Sequence, residues 1–412
     1  MKKLTLLLIV MLFALPACQD YVTDLDPLTN QIRDKDLDFS SPAILNGFLI
    51  GLQVDMERTV DELSVNSDGL SDAFYFNLRV LGATFPQYGE VDVANMLEDN
   101  TVPGGPFTPI HQFRAKADTA LYKINAGIYT FADTASRKKA LYSVHLYGGQ
   151  ARYLLATYYA LRGLTPGSPI DKSPLIPSPV LYADAIARWK LAITQTTDVK
   201  QQRMVSSLIA RAYLFMGQYP EAATYAAQGM IQGDAPWQAL YNVTNENNYR
   251  VGAGQIRVQF AADNRFGDYI AATPSEANRI KVLAKTNKGY NYFIQNKYIV
   301  DPVGLTTVTP IDLMTWQETQ LMLAELVLRG AGTGDALALV NGVRAFYSIP
   351  ALTSITLSTT GQPSIYEERD KELCFRGLRL VDQRRFGKFH VTGGMQYFPI
   401  PRGEVTRNPY LQ

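Results

Sequence analysis

Between residues 205 and 230, apolar side chains recur with a helical period, stop at a glycine and resume on small residues. No other feature constrains the fold of this chain as tightly. Val205, Leu208, Ile209, Ala212 and Tyr213 stand at i, i+3, i+4, i+7 and i+8, one face of an amphipathic helix. Gly217 ends that helix. Glu221 opens a second, whose Ala222, Ala223 and Ala226 let the two lie close together. The segment reads as helix, tight turn, helix.

Two further segments carry the pattern. In the first, Leu321, Ala324 and Leu328 give one face, Gly330, Gly332 and Gly334 make the turn, and Ala336 to Val343 make the return helix. The other is weaker: "GGQARYLLATYYALRG" ends at Gly163, then comes a Pro-rich loop from Pro166 to Pro179, then a helix from Tyr182 to Ile193. The pattern is that of a tetratricopeptide unit. The irregular spacing embeds the units in one fold rather than a tandem array. On pattern alone, unrelated helical hairpins remain the alternative.

Residues 64–110 and 233–310 hold Gly, Pro, Asn and aromatics and read as loops with short elements. Ile256 to Phe260 alternates, which predicts a short strand. Loops this long are usually functional or disordered, and the aromatics argue for order. The expected class is mostly α, with embedded helix pairs, long loops and a few short strands.

At the N-terminus, Lys2 and Lys3 precede an apolar run from Leu4 to Leu15, the shape of a secretory signal peptide rather than a membrane span. The run ends in Leu15-Pro16-Ala17-Cys18, which resembles a bacterial lipobox, with Pro16 departing from the usual small residue. Residues 1–17 are expected to be removed, Cys18 to be lipidated, and the acidic, turn-rich residues 18–40 to act as a tether. An ordinary cleaved signal peptide is the alternative. Residues 41–412 are expected to form a single domain. Charge is nearly balanced, 39 basic against 38 acidic residues, so no footprint for nucleic acid is present. Cys18 and Cys374 are the two cysteines and the three histidines are scattered, which argues against a disulfide framework and a zinc site.

The segment Tyr366 to Gly387 is rich in acids and arginines at three- and four-residue spacing, which suits pairing along a helix. Asp382 with Arg385, and Glu368 or Glu372 with Arg376 or Arg369, are the expected partners. The segment resembles the hallmark run of the SusD/RagB family of nutrient-binding lipoproteins, matched at Glu368, Arg369, Glu372, Leu373, Phe375, Gly377, Arg379, Asp382, Arg385 and Gly387. Arg376 departs, where the family usually has Glu. The closing "YFPIPRGEVTRNPYL", the "GGQARYLLATYY" helix and the early "ELSVNSDGL" are similar to further family segments.

The resemblance implies a mostly helical SusD-like fold on the outer surface of the outer membrane, without cofactor or catalysis. It implies capture of a glycan, oligosaccharide or other nutrient on long loops, and delivery to a TonB-dependent, SusC-like transporter. Sugars pair an apolar ring face with hydroxyls, so aromatic platforms beside polar groups are sought. By composition and location the candidate ligand residues are Asn66, Asp68, Tyr75, Phe76, Arg79, Trp237, Phe266 and Tyr269, with Tyr88, Tyr241, Asn264 and Arg265 behind them. For any single one, core packing is the competing role. The alternative function is a tetratricopeptide-type envelope scaffold with no small ligand. Nothing in the sequence points to a hydrolase.

Overall fold

The computed structural model describes residues 41–412 apart from 243, 256 and 300–307. The lipobox, Cys18 and the tether lie outside the described residues. In chain order the first half holds α1 (Pro42–Leu70), β1 (Phe74–Phe76), α2 (Pro86–Asp92), α3 (Thr101–Gly104), α4 (Phe107–Asn125), α5 (Thr134–Tyr158), β2 (Tyr159–Leu161), β3 (Thr165–Ser168), β4 (Ile176–Pro177), α6 (Ser178–Thr194), α7 (Val199–Phe215) and α8 (Tyr219–Ala227). Then follow β5 (Trp237–Ala239), α9 (Asn248–Ala253), β6 (Phe260–Ala262), α10 (Arg265–Ala272), β7 (Val282–Asn287), β8 (Tyr290–Gln295), β9 (Ile311–Met314), α11 (Trp316–Leu328), α12 (Ala336–Phe346), α13 (Ile365–Glu372), α14 (Arg379–Arg385), β10 (Phe398–Pro399) and α15 (Arg402–Arg407).

The three anticipated helix pairs form: α5 packs on α6, α7 on α8 and α11 on α12. Gly217 takes φ +72° in the α7–α8 turn, where a side chain would be strained. Small residues then do what their spacing suggested. Ala222 and Ala226 are buried against Ala210 and Leu214 of α7 and against Met322 and Leu326 of α11, so the second pair docks directly on the third. Asp133 caps α5 by accepting from Ser136 N at 2.7 Å.

Several expectations change. Residues 64–70 are not loop but the last two turns of α1, and 107–110 begin α4. The polar run Ser64, Asn66, Ser67 and Asp68 hides this helix end from periodicity, because distant partners bury these residues. The strand expected at 256–260 lies at Phe260–Ala262. Residue 256 is outside the described residues. Gln259 is drawn off the strand by its own side chain, which accepts from Thr84 N and Phe85 N at 3.1 Å each and donates to Gly82 O at 2.7 Å. The Pro-rich loop contains the short strands β3 and β4, and α6 starts earlier than expected, at Ser178.

One large core runs from Leu45 to Leu411. A four-stranded sheet in the order β1-β6-β8-β7 lies at its side. The β7–β8 hairpin turns on Lys288 (φ +46°) and Gly289 (φ +79°), the two positive φ values that a two-residue type I′ turn requires. Under this sheet and the adjoining loop sits a small separate core of Val80, Ala83, Val258, Ala261, Tyr292 and Ile294. It fixes the loop from residue 77 to residue 85 against the sheet.

Candidate functional site

The structure separates the residues singled out by composition. Asn66 and Asp68 are buried in α1 with partners inside the protein: Asn66 Nδ2 donates to Val102 O at 2.6 Å, and Asp68 accepts from Tyr249 Oη at 2.6 Å. Phe266 is likewise core, fully buried with its ring 4.9 Å from that of Phe375. Tyr269 is occupied structurally. Its hydroxyl donates to Asp370 at 3.3 Å and Lys371 Nζ lies 4.5 Å from its ring centre. Trp237 is half-buried in the two-stranded β5–β9 sheet, packed on the main core. Among the secondary picks, Tyr241 is buried and donates to Glu57 O at 3.0 Å, and Arg265 pairs with Asp370 at 2.8 Å.

Tyr75 and Arg79 do share a surface. Tyr75 leaves β1 half-buried, and Tyr290 of the β7–β8 hairpin donates to its hydroxyl at 3.4 Å. Asn77 Nδ2 donates to Tyr290 Oη at 3.3 Å. The Arg79 guanidinium lies over the Tyr290 ring, 4.4 Å from its centre, and Asn287 Nδ2 ties the loop to the hairpin through Arg79 O at 2.9 Å. Burial, with the hydrogen bond from Tyr290, pushes the Tyr75 phenol well above its ordinary range, so Tyr75 stays a neutral hydrogen-bonding group. Leu78 and Leu81 are exposed beside them, and Phe76 packs beneath.

Around the same loop, Phe85, Gln87, Tyr88, Thr101, Arg257 and Gln259 line a groove of about 280 Å³. Phe85 is 38% exposed and has the Arg257 guanidinium 4.4 Å from its ring centre. Rings, amides and cations thus meet at both ends of the loop from residue 77 to residue 85, which Gln259 and the small core beneath it hold in place. This composition suits a ligand with apolar ring faces and many hydroxyls. A larger groove of about 520 Å³ lies between the start of α5 and residues 194–201. Its lining is threonine, glutamine and lysine around the buried Tyr142, with no exposed ring, so chemistry favours the smaller groove. Sequence reading missed Asn77, Phe85, Arg257, Asn287 and Tyr290. The Lys288-Gly289 turn between two alternating runs was the available signal for the hairpin.

No protein-family model matches the chain, and neither does any curated protein. Solved structures do. A SusD superfamily protein from Bacteroides vulgatus superposes with a TM-score of 0.73 at 14% identity, covering 90% of this chain and 98% of that one. A laminarin-binding SusD-like protein gives 0.69 at 16%, covering 89% and 99%. Surface glycan-binding protein A from Bacteroides uniformis gives 0.69 at 16%, covering 90% and 99%. The chain has a SusD-like fold.

In this SusD-like fold the charge-rich segment 366–387 is structural cement. Arg369 is fully buried and donates to Asp382 at 2.8 Å, Asp382 accepts from Arg385 at 2.7 Å as expected, and Arg385 donates to Glu325 at 2.7 Å. The other expected pairs do not form. Glu368 meets Arg279 at 2.8 Å and Arg344 at 2.6 Å, Glu372 accepts from Tyr347 Oη at 3.0 Å, and Arg376 meets Glu318 at 2.8 Å. Arg379 pairs with Asp72 at 2.6 Å, and Phe375 stacks on Phe74 with ring centres 5.2 Å apart. The closing segment of the SusD-like fold joins the second sheet, where β10 pairs in parallel with β2.

Proposed function

We propose that this protein is a non-catalytic SusD/RagB family lipoprotein that captures a glycan at the cell surface and passes it to a TonB-dependent, SusC-like transporter. Residues 1–17 are the removed signal peptide, Cys18 carries the lipid, residues 18–40 form the tether and residues 41–412 form a single ligand-binding domain on the outer membrane. The observation that carries the reading is the exposed Phe85 and the half-buried Tyr75, Tyr290 and Tyr88, set among Asn77, Gln87 and two exposed arginines. It lies on a fold shared with a laminarin-binding and a surface glycan-binding protein. A scaffold built only from helix pairs has no use for such a face.

The test is an affinity screen of the Cys18→Ser protein against glycan and peptide arrays, followed by analysis of the bound glycan for shortened products. Binding that is lost in Phe85→Ala or Tyr290→Ala, with no product released, supports the reading. Failure to bind any glycan sinks it, and released product overturns the non-catalytic assignment.

A further inference from the structure

Two arginines on this face lack the carboxylate partners that Arg369, Arg376, Arg379 and Arg385 have. Around segment 366–387 nearly every guanidinium meets a carboxylate within 4 Å. Arg79 and Arg257 are exposed, and among the described residues neither makes an ion pair. Each guanidinium carbon lies over an aromatic ring instead, Arg79 over Tyr290 and Arg257 over Phe85, 4.4 Å from the ring centre in both cases. A ring beneath the guanidinium holds the cation in place and uses none of its N–H donors, which can meet a planar or tetrahedral oxyanion.

The surroundings strengthen the bias. Lys285 and Asn287 on β7 pair across the hairpin with Tyr292 and Tyr290, so Lys285 stands on the same sheet face as Tyr290, and Lys288 occupies the turn. Both lysines are exposed and unpaired among the described residues. The nearest acid on the Tyr75 side, Asp263, is engaged by Arg265, accepting from its backbone N at 2.9 Å with the guanidinium 3.3 Å away. On the groove side Glu62 is the single acid among the lining residues, against Arg257, and burial raises its carboxyl above the ordinary value. Exposed cations thus stand at both ends of the loop, Arg79, Lys285 and Lys288 at one and Arg257 at the other, although the whole chain is almost neutral.

We propose that the glycan captured on this face is anionic, and that Arg79 and Arg257 bind its carboxylate or sulfate groups while Tyr290 and Phe85 carry its ring faces. This rests on the glycan-binding reading above. The experiment is calorimetric titration of the Cys18→Ser protein with polygalacturonate and with a sulfated galactan. Each is matched to its carboxyl-reduced or desulfated counterpart, and titrations are run at low and at physiological ionic strength.

The charged form should bind at least about tenfold tighter than its neutral counterpart, with a gap that narrows as salt rises. Arg79→Gln and, independently, Arg257→Gln should each remove most of that preference, lowering affinity for the charged form several-fold more than for its neutral counterpart. Preference for the uronate or for the sulfate names the group, and either outcome supports the inference. Equal affinity for charged and neutral forms, or an equal loss of both in the arginine variants, overturns it and leaves glycan capture standing. No binding to any of the four polymers overturns the anionic assignment, and failure on the glycan array overturns glycan capture itself.

Discussion

The backbone N–H of Gly377 lies 3.2 Å from each carboxylate oxygen of Asp68, across a separation of 309 residues. The contact is reciprocal between the segments. Ser67 Oγ donates to Gly377 O at 2.8 Å, and Tyr158 Oη donates to the same carbonyl at 3.0 Å. The start of the chain and its C-terminal third are joined at this glycine.

Gly377→Ala should therefore be among the most damaging single substitutions. Gly377 has φ +71°, and a Cβ there would lie 2.8 Å from the Cα of Ser64, which is backbone and cannot swing away. The expected loss is about 3 kcal/mol of unfolding free energy, read from urea denaturation. A loss below about 1 kcal/mol would show that the two segments part easily.

Two carboxyls on α1 should each withdraw stability as pH rises from acid to neutral. Burial pushes Asp68 up to about 7 and Asp61 up to about 8. A carboxyl whose pKa is raised in the folded state stabilises the fold below its unfolded value, and that contribution is lost as pH climbs through the folded pKa. In Asp68→Asn the Tyr249 hydroxyl can turn to accept from the new amide, and Gly377 N–H keeps an oxygen. The variant should match the parent in Tm near about pH 5 and exceed it near about pH 8. A deficit of the same size at both would assign Asp68 a purely geometric role.

Glu325 works in the opposite sense. Burial pushes its carboxyl up, but Arg385, Arg369 and Arg329 outweigh burial and hold it down at about 2. Its contribution is present above its ordinary value of 4.5 and drains as pH falls toward 2. Glu325→Gln leaves buried guanidiniums without their counter-charge and should cost about 3 kcal/mol at neutral pH. Chemical denaturation at neutral pH measures this. An unchanged midpoint would mean that Asp382 alone satisfies Arg369 and Arg385.

Two phenylalanines should separate cleanly. Phe266→Ala empties a fully buried site against Phe375 and should cost about 3–5 kcal/mol. Phe85→Ala removes a ring that is 38% exposed over the groove and should shift Tm by less than about 2 °C while weakening glycan binding by about tenfold. Unimpaired binding in Phe85→Ala would remove the groove from the ligand path.

Cys18→Ser should move the protein from the membrane fraction to the soluble fraction. No helix among the described residues is long and apolar enough to cross a membrane, so the acyl anchor is the proposed attachment. Retention of the variant in washed membranes would refute that attachment.

What the sequence determined alone was local. Periodicity at Val205 to Tyr213, the stop at Gly217 and the alanines at 222 and 226 depend on neighbours within a few residues, and the structure forms those helices as written. The charge-rich run at 366–387 was readable as a locking element for the same reason, and the Asp382–Arg385 pair three residues apart is present. Only the tertiary structure decided which polar and aromatic residues are free. Asp68 looks like a ligand group until Tyr249 and Gly377 arrive from distant segments to bury it. Arg79 and Tyr290, 211 residues apart in the sequence, become one surface only when β1 and the β7–β8 hairpin enter the same sheet. Burial is a property of the assembled fold, so side chains with the same chemistry became core at Phe266 and surface at Phe85.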